Sequence, residues 1–223
     1  MNRIARLRLA VALSLAGLLG ACAGVPPIQE MSDARQAVQA AREAGAVDHA
    51  GAALAKAERR LAKAEVALGT NQYDEARDLA LEAKDRAGKA RELAVATRKA
   101  EIALAEAGRL GVDGGEARDL LALSRARARE GDPVEAAKLA ERANREAEEA
   151  LNRHYLEAAR GIVAAAAPRR RSLAPSLGAR FDEAQAAIEN QEGRRAYELA
   201  RGLPARGGGS GSPTQATKGS PGR

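Results

Sequence analysis

Residues 72–107 read QYDEARDLALEAKDRAGKARELAVATRKAEIALAEA, and this run decides the fold class. Alanine returns at Ala76, Ala80, Ala83, Ala87, Ala90 and Ala94. Steps of four and three residues put all six on one face of an α-helix. No proline interrupts the run, so it predicts one helix, roughly 50 Å long at 1.5 Å per residue. An alanine seam lets helices approach closely but buries little area. At about 25 cal/mol per Å² each alanine contributes less than a leucine would, and Leu79 and Leu93, which flank the seam, carry more of the packing. Glu82–Arg86 and Asp85–Lys89 are i,i+4 pairs in the favourable order, about 0.3–0.5 kcal/mol each. They mark a solvated face.

The same period extends in both directions. Ile28, Met31, Ala34, Val38 and Ala41 predict a helix over 28–44, ended by Gly45. Leu54, Ala57, Leu61, Ala64 and Leu68 predict a second over 51–68. Asn71 is expected to cap the long helix, with Asp74 in its first turn, and Pro27 to take the first position of the first helix. Beyond the glycine-rich turn 108–115 a helix is expected over 116–130. Asp132, Pro133 and Glu135 then form a capping-box-like start for a helix running to about Ala167. Pro168, Arg169-Arg170-Arg171 and Pro175 are expected to break the chain before helices over 177–191 and 194–201. The expected class is therefore all-α: antiparallel helical hairpins packed as a bundle or a tetratricopeptide-like stack. A first hairpin unit covers 28–107, a second 108–167 and a short third 168–201. A Gly/Ser/Pro-rich tail, 202–223, is disordered by composition.

Ala76-Arg77-Asp78-Leu79-Ala80 recurs as Ala136-Ala137-Lys138-Leu139-Ala140 and as Ala196-Tyr197-Glu198-Leu199-Ala200, steps of 60 residues each (136 − 76, 196 − 136). Leu61, Leu121 and Phe181 keep this register, as do Ile102 and Ile162. The pattern predicts a repeated helical hairpin; chance similarity among alanine-rich helices is the alternative.

The ends carry the charge imbalance. The chain holds 36 basic and 30 acidic residues. Arg3, Arg6, Arg8, Arg206, Lys218 and Arg223 lie outside the body, which leaves 36 − 6 = 30 basic against 30 acidic residues. A nucleic-acid binder keeps its excess charge on the folded part, so a nucleic-acid partner is not expected. Aromatics make up 2%, against the aromatic lining common in ligand pockets.

The first 21 residues have the anatomy of a signal peptide: three arginines, then the apolar run LAVALSLAGLL over 9–19. That run is too short to span about 30 Å of hydrocarbon. Leu19-Gly20-Ala21-Cys22 resembles a bacterial lipobox. The resemblance implies acylation of Cys22, the only cysteine, with 22–27 as a short tether. Two or three chains suffice for stable anchoring where one does not. An ordinary secretory signal with an incidental cysteine is the alternative. Ala23 after Cys22 points, by analogy with enterobacterial lipoproteins, to the outer membrane.

From Pro26 to about Ala96 the chain resembles the domain of unknown function 4398 group of bacterial envelope lipoproteins. The residues that carry this are Pro26-Pro27, Ala41 to Ala46, Leu54, Ala57, Leu61, Ala64, Tyr73, Ala76, Leu79, Ala80 and Ala83. His49-Ala50-Gly51 stands where the family usually has Tyr-Ala-Pro. The resemblance implies a helical periplasmic domain. Some relatives carry an OmpA-type peptidoglycan-binding domain downstream, and none is recognisable here.

No residue constellation announces chemistry. His49 and His154 stand apart from any cluster, and the turn 108–115 lacks the Lys-Ser/Thr of a phosphate loop. Arg169–Arg171 is the one basic patch, either a solvated loop or a contact for anionic lipid or cell wall. The expectation is a lipid-anchored, periplasm-facing lipoprotein of the bacterial envelope, acting as a non-catalytic interaction or adaptor module. It names no catalytic residue, no cofactor and no metal. Its partners are the membrane, through Cys22, and a periplasmic protein or the cell wall. A self-associating envelope spacer, or a peptidoglycan-proximal protein, is the alternative.

Overall fold

The computed structural model describes residues 25–204, and every regular element among them is a helix. In order these are α1 (Ile28–Glu43), α2 (Ala46–His49), α3 (Gly51–Gly69), α4 (Tyr73–Leu110), α5 (Gly115–Glu130), α6 (Pro133–Ala166), a 3₁₀ segment (Ala167–Ser172), α7 (Pro175–Glu189) and α8 (Gly193–Ala200). Residues 1–24, which include the expected leader and Cys22, and residues 205–223 lie outside the described residues.

Two compact units divide the chain, each built from two segments. Unit 1 comprises Met1–Lys99 with Asp119–Arg142, and unit 2 comprises Ala100–Arg118 with Ala143–Arg223. In unit 1, the early part of α1 (Met31, Ala34) packs with the late part of α3 (Ala64) and the early part of α4 (Ala80, Ala83). The late part of α1 (Val38, Ala41) meets the early part of α3 (Leu54, Ala57) and Ala87, Ala90, Leu93 and Ala94 of α4. Successive helices therefore run antiparallel, as the hairpin expectation requires. The six seam alanines of α4 are all 0% exposed. In α5, Ser124 is buried among these helices and satisfies its hydroxyl by donating to the Ala136 carbonyl at 2.7 Å.

Among its described residues, unit 2 packs into small cores. Ala103 and Ala107 pack with Ala117, Ala147 and Leu151. Ala159 packs with Ala184, Ala187, Ala196 and Ala200. Ala166, Phe181 and Leu203 form another.

Several local expectations need correction. Pro27 precedes α1 as its N-cap rather than its first residue, and its carbonyl accepts the Met31 N–H at 3.0 Å. Between the first two long helices the chain inserts α2, after Gly45 turns left-handed at φ +88°. Asn71 does not cap α4. It ends α3 in the left-handed region at φ +60°, and the Gln72 N–H bonds back to the Ala67 carbonyl. That is a Schellman closure. The expected break at Arg169–Arg171 is a 3₁₀ segment instead, with Pro168 in its first turn. There its missing N–H costs no bond. The box at α6 is half made. Asp132 accepts the Glu135 N–H at 3.0 Å, while the Glu135 carboxylate lies 3.6 Å from Lys138.

The 60-residue period is visible in the backbone. Asn71, Gly131 and Gln191 all have left-handed φ, at +60°, +94° and +61°. Each is followed by the same long return bond: Gln72 to Ala67, Asp132 to Arg127 and Glu192 to Ala187. Ala76, Ala136 and Ala196 are then all fully buried, as are Ala80, Ala140 and Ala200.

Candidate functional site

Lys56, Arg59, Arg60 and Lys63 occupy i, i+3, i+4 and i+7 of α3, and helical geometry gathers them on one stripe. On α4, Glu82, Asp85, Arg86 and Lys89 form the facing row. Two adjoining concavities of unit 1 result. The first, about 280 Å³, is lined by these α4 side chains and Lys56, over a partly apolar floor of Ala53, Ala128, Pro133 and Val134. The second, about 310 Å³, is lined by cations alone: Lys56, Arg59, Arg60, Lys63 and Arg86. Lys56 and Arg86 belong to both.

The carboxylates of the groove are already committed. Glu82 accepts from Arg86 and also lies 3.2 Å from Arg60. The Arg86 hydrogen bond holds the Glu82 carboxyl below the usual carboxylate range, helped by the nearby charges of Arg60 and Lys63. Asp85 accepts from Lys89 at 2.6 Å. Among the described residues, Lys56 and Arg59 enter no ion pair. Lys56 Nζ rests over the left-handed Gly131, 2.7 Å from where a Cβ would stand. It thus sits at the C-terminal end of α5, where the helix dipole favours a cation. The lining offers positive charge and shape; it contains no histidine, cysteine or serine.

A second polar cluster lies in unit 2. Tyr155 Oη donates to Glu106 Oε1 at 2.6 Å, and Arg194 Nη2 donates to Glu106 Oε2 at 2.8 Å. The Arg194 guanidinium also covers the Tyr155 ring, 5.1 Å from its centroid. Tyr197 lies 5.4 Å and His154 5.8 Å from the same ring. The Arg194 and Tyr155 hydrogen bonds hold Glu106 below its ordinary range, and the Glu106 bond pushes Tyr155 up. This cluster ties α4, α6 and α8 segments together, with each Glu106 carboxylate oxygen already accepting one hydrogen bond.

Sequence reasoning identified Arg169–Arg171 and missed the α3 stripe. Arg170 is occupied: both its Nε and Nη2 bond the Asp182 carboxylate, and it lies over Phe181 at 5.8 Å. Only Arg169 and Arg171 point outward. The stripe was present as Lys-x-x-Arg-Arg-x-x-Lys from Lys56 to Lys63, concealed by the neutral total of the body. His154 is half-buried beside Tyr155, as a seam-edge residue would be. Cys22 lies outside the described residues. Among those residues no group of three metal-ligating side chains converges, and no helix is long and apolar enough to cross a membrane.

The family model described as a domain of unknown function (DUF4398) matches residues 29–107. That segment spans α1 to α3 and most of α4. No curated protein and no solved structure matches the chain.

Proposed function

We propose that this chain, whose segment 29–107 belongs to the DUF4398 group, is a lipid-anchored adaptor of the bacterial envelope that holds a partner without catalysing a reaction. The observation that carries the reading is the contrast between the two polar clusters. In unit 2 the Tyr155–Glu106–Arg194 contacts are closed on themselves. In unit 1 the groove keeps Lys56, Arg59 and Lys63 exposed around an open concavity. Open charge on a rigid helical face is the chemistry of recognition. The lipobox resemblance at Leu19–Cys22 supplies the anchor, and the short tether keeps the helices near the bilayer.

Fractionation tests the anchor. The full-length chain, expressed in a host that processes lipoproteins, should sediment with membranes and show an acylated Cys22 by mass spectrometry. Cys22→Ser should move to the soluble fraction. Equal sedimentation of both, with a bare thiol, would remove the reading.

A spacer that self-associates is the second reading. It is supported by a shallow, largely apolar concavity of about 430 Å³ lined by Ala62, Val66, Ala67 and Leu79 with Lys63, Gln72 and Glu75. Val66 is 67% exposed there. A concentration-independent monomer in analytical ultracentrifugation of the detergent-solubilised chain would eliminate it.

A further inference from the structure

We infer that the cationic groove of unit 1 docks an acidic, partly apolar peptide segment of a partner protein. This rests on the adaptor reading and names the chemistry of its partner. Six cations line the two concavities against two carboxylates, Glu82 and Asp85. Both carboxylates already accept from α4 neighbours, so the remaining charge faces outward uncompensated. The stripe from Lys56 to Lys63 rises over seven helical steps, about 10 Å. That length matches acidic side chains spaced one and two turns apart on a partner helix.

The floor decides between a peptide and a simple anion. Ala53, Ala128, Pro133 and Val134 form it, and Val134 is 41% exposed although apolar. A phosphate group or a lipid headgroup would use the cations and leave that floor wet. A peptide carrying leucine among glutamates would cover both surfaces. The chain's own ends do not fit: Arg3, Arg6, Arg8, Arg206, Lys218 and Arg223 give them the same sign as the groove.

Fluorescence anisotropy of a labelled peptide of repeating Leu-Glu-Glu-Glu, titrated with the full-length chain in a non-ionic detergent, tests the proposal. Saturable binding that weakens with added salt is expected. The double variant Lys56→Glu, Lys63→Glu should weaken it at least about tenfold, and Val134→Ser about threefold. Arg153→Glu, an exposed charge change on α6 outside unit 1, should leave it unchanged. Lys56→Gln, Lys63→Gln repeats the test without new carboxylates, and circular dichroism verifies that each variant folds. Wild-type protein that does not bind the peptide, or binding that Arg153→Glu weakens equally, overturns the proposal. So does equal competition by an all-glutamate peptide or inorganic phosphate, which would make the groove a general anion site. Vesicles of phosphatidylglycerol that displace the peptide through the same cations would assign the groove to lipid instead. None of these outcomes depends on Cys22, so failure here leaves the anchor test standing and is separable from it.

Discussion

Tyr155 and Glu106 are joined by a 2.6 Å hydrogen bond from phenol to carboxylate, and Arg194 closes on the second carboxylate oxygen at 2.8 Å. Glu106 is only 16% exposed while Arg194 is 57% exposed. The bond is thus sheltered on one side and wet on the other. Charge-assisted bonds of this kind are the stronger ones, and solvent screening reduces the Arg194 contribution.

The pH dependence follows from the direction of the Glu106 shift. Its carboxyl is lowered in the fold, first by the Arg194 hydrogen bond and then by that of Tyr155. A lowered carboxylate favours the fold above the ordinary value and loses that contribution as pH falls through the folded value. Thermal midpoints should therefore fall below about pH 4.5, and Glu106→Gln should flatten part of that decline. Asp33, Glu82 and Asp182 are lowered too, so the decline is not abolished. An identical acid profile for Glu106→Gln would show that the cluster contributes nothing. At the alkaline end Tyr155 is raised, chiefly by Glu106. Absorbance titration should show one tyrosinate forming later than the others in wild type and not in Tyr155→Phe.

Much of the fold was legible because the seam of α4 is nearly pure. Alanine at a strict four-three spacing admits only one helical face, and all six positions are fully buried. Helix ends were less legible for a physical reason. Asn71 serves equally well as an N-cap or as a left-handed C-terminal residue, and only tertiary context chose the second. Gln191 gave no signal of its own, since glutamine is not a residue that favours φ +61°. Its turn was recoverable only through the 60-residue register. Proximity across the chain was illegible altogether. Nothing local joins Glu106 to Arg194, 88 residues away.

The turn register predicts opposite responses at equivalent positions. Asn71 and Gln191 hold side chains at positive φ, whereas Gly131 does so without a Cβ. Gln191→Gly should stabilise by about 0.5–1 kcal/mol, and Asn71→Gly by less, because asparagine tolerates this region. Gly131→Ala should destabilise by about 1 kcal/mol. It also presses on Lys56 Nζ, which can swing aside. Urea denaturation of the three variants reads this; no difference among them would refute the shared turn geometry.

The third turn has a clamp. The Gly193 N–H donates to Asn152 Oδ1 at 2.7 Å, and Asn152 Nδ2 donates to the Gln191 carbonyl at 3.1 Å. A Cβ on residue 193 would collide with the Asn152 carbonyl oxygen. That oxygen is backbone and cannot rotate away. Gly193→Ala should cost about 1–3 kcal/mol, and Asn152→Ala about 1–2 kcal/mol for its two bonds. The register-equivalent residues are Tyr73 and Pro133, so the close approach belongs to the third turn alone. Chemical denaturation that finds Gly193→Ala as stable as wild type would contradict it.

Two neighbouring substitutions on α4 should move stability in opposite senses. Ala87 is 0% exposed and sits in the main core of unit 1 beside Ala57 and Leu54. Ala87→Leu forces three extra carbons into a seam closed by small residues, and should cost about 1–3 kcal/mol or more. Gly88 is the next residue. A Cβ there meets nothing within 4 Å, and its φ is an ordinary helical one. Gly88→Ala should stabilise by about 0.5–1 kcal/mol through the entropy of the unfolded chain. Thermal and urea midpoints of the two variants separate a packed face from a solvated one within a single peptide step. If both changes were neutral, α4 would not be packed along its alanines, and the antiparallel arrangement of α1, α3 and α4 would fall with it.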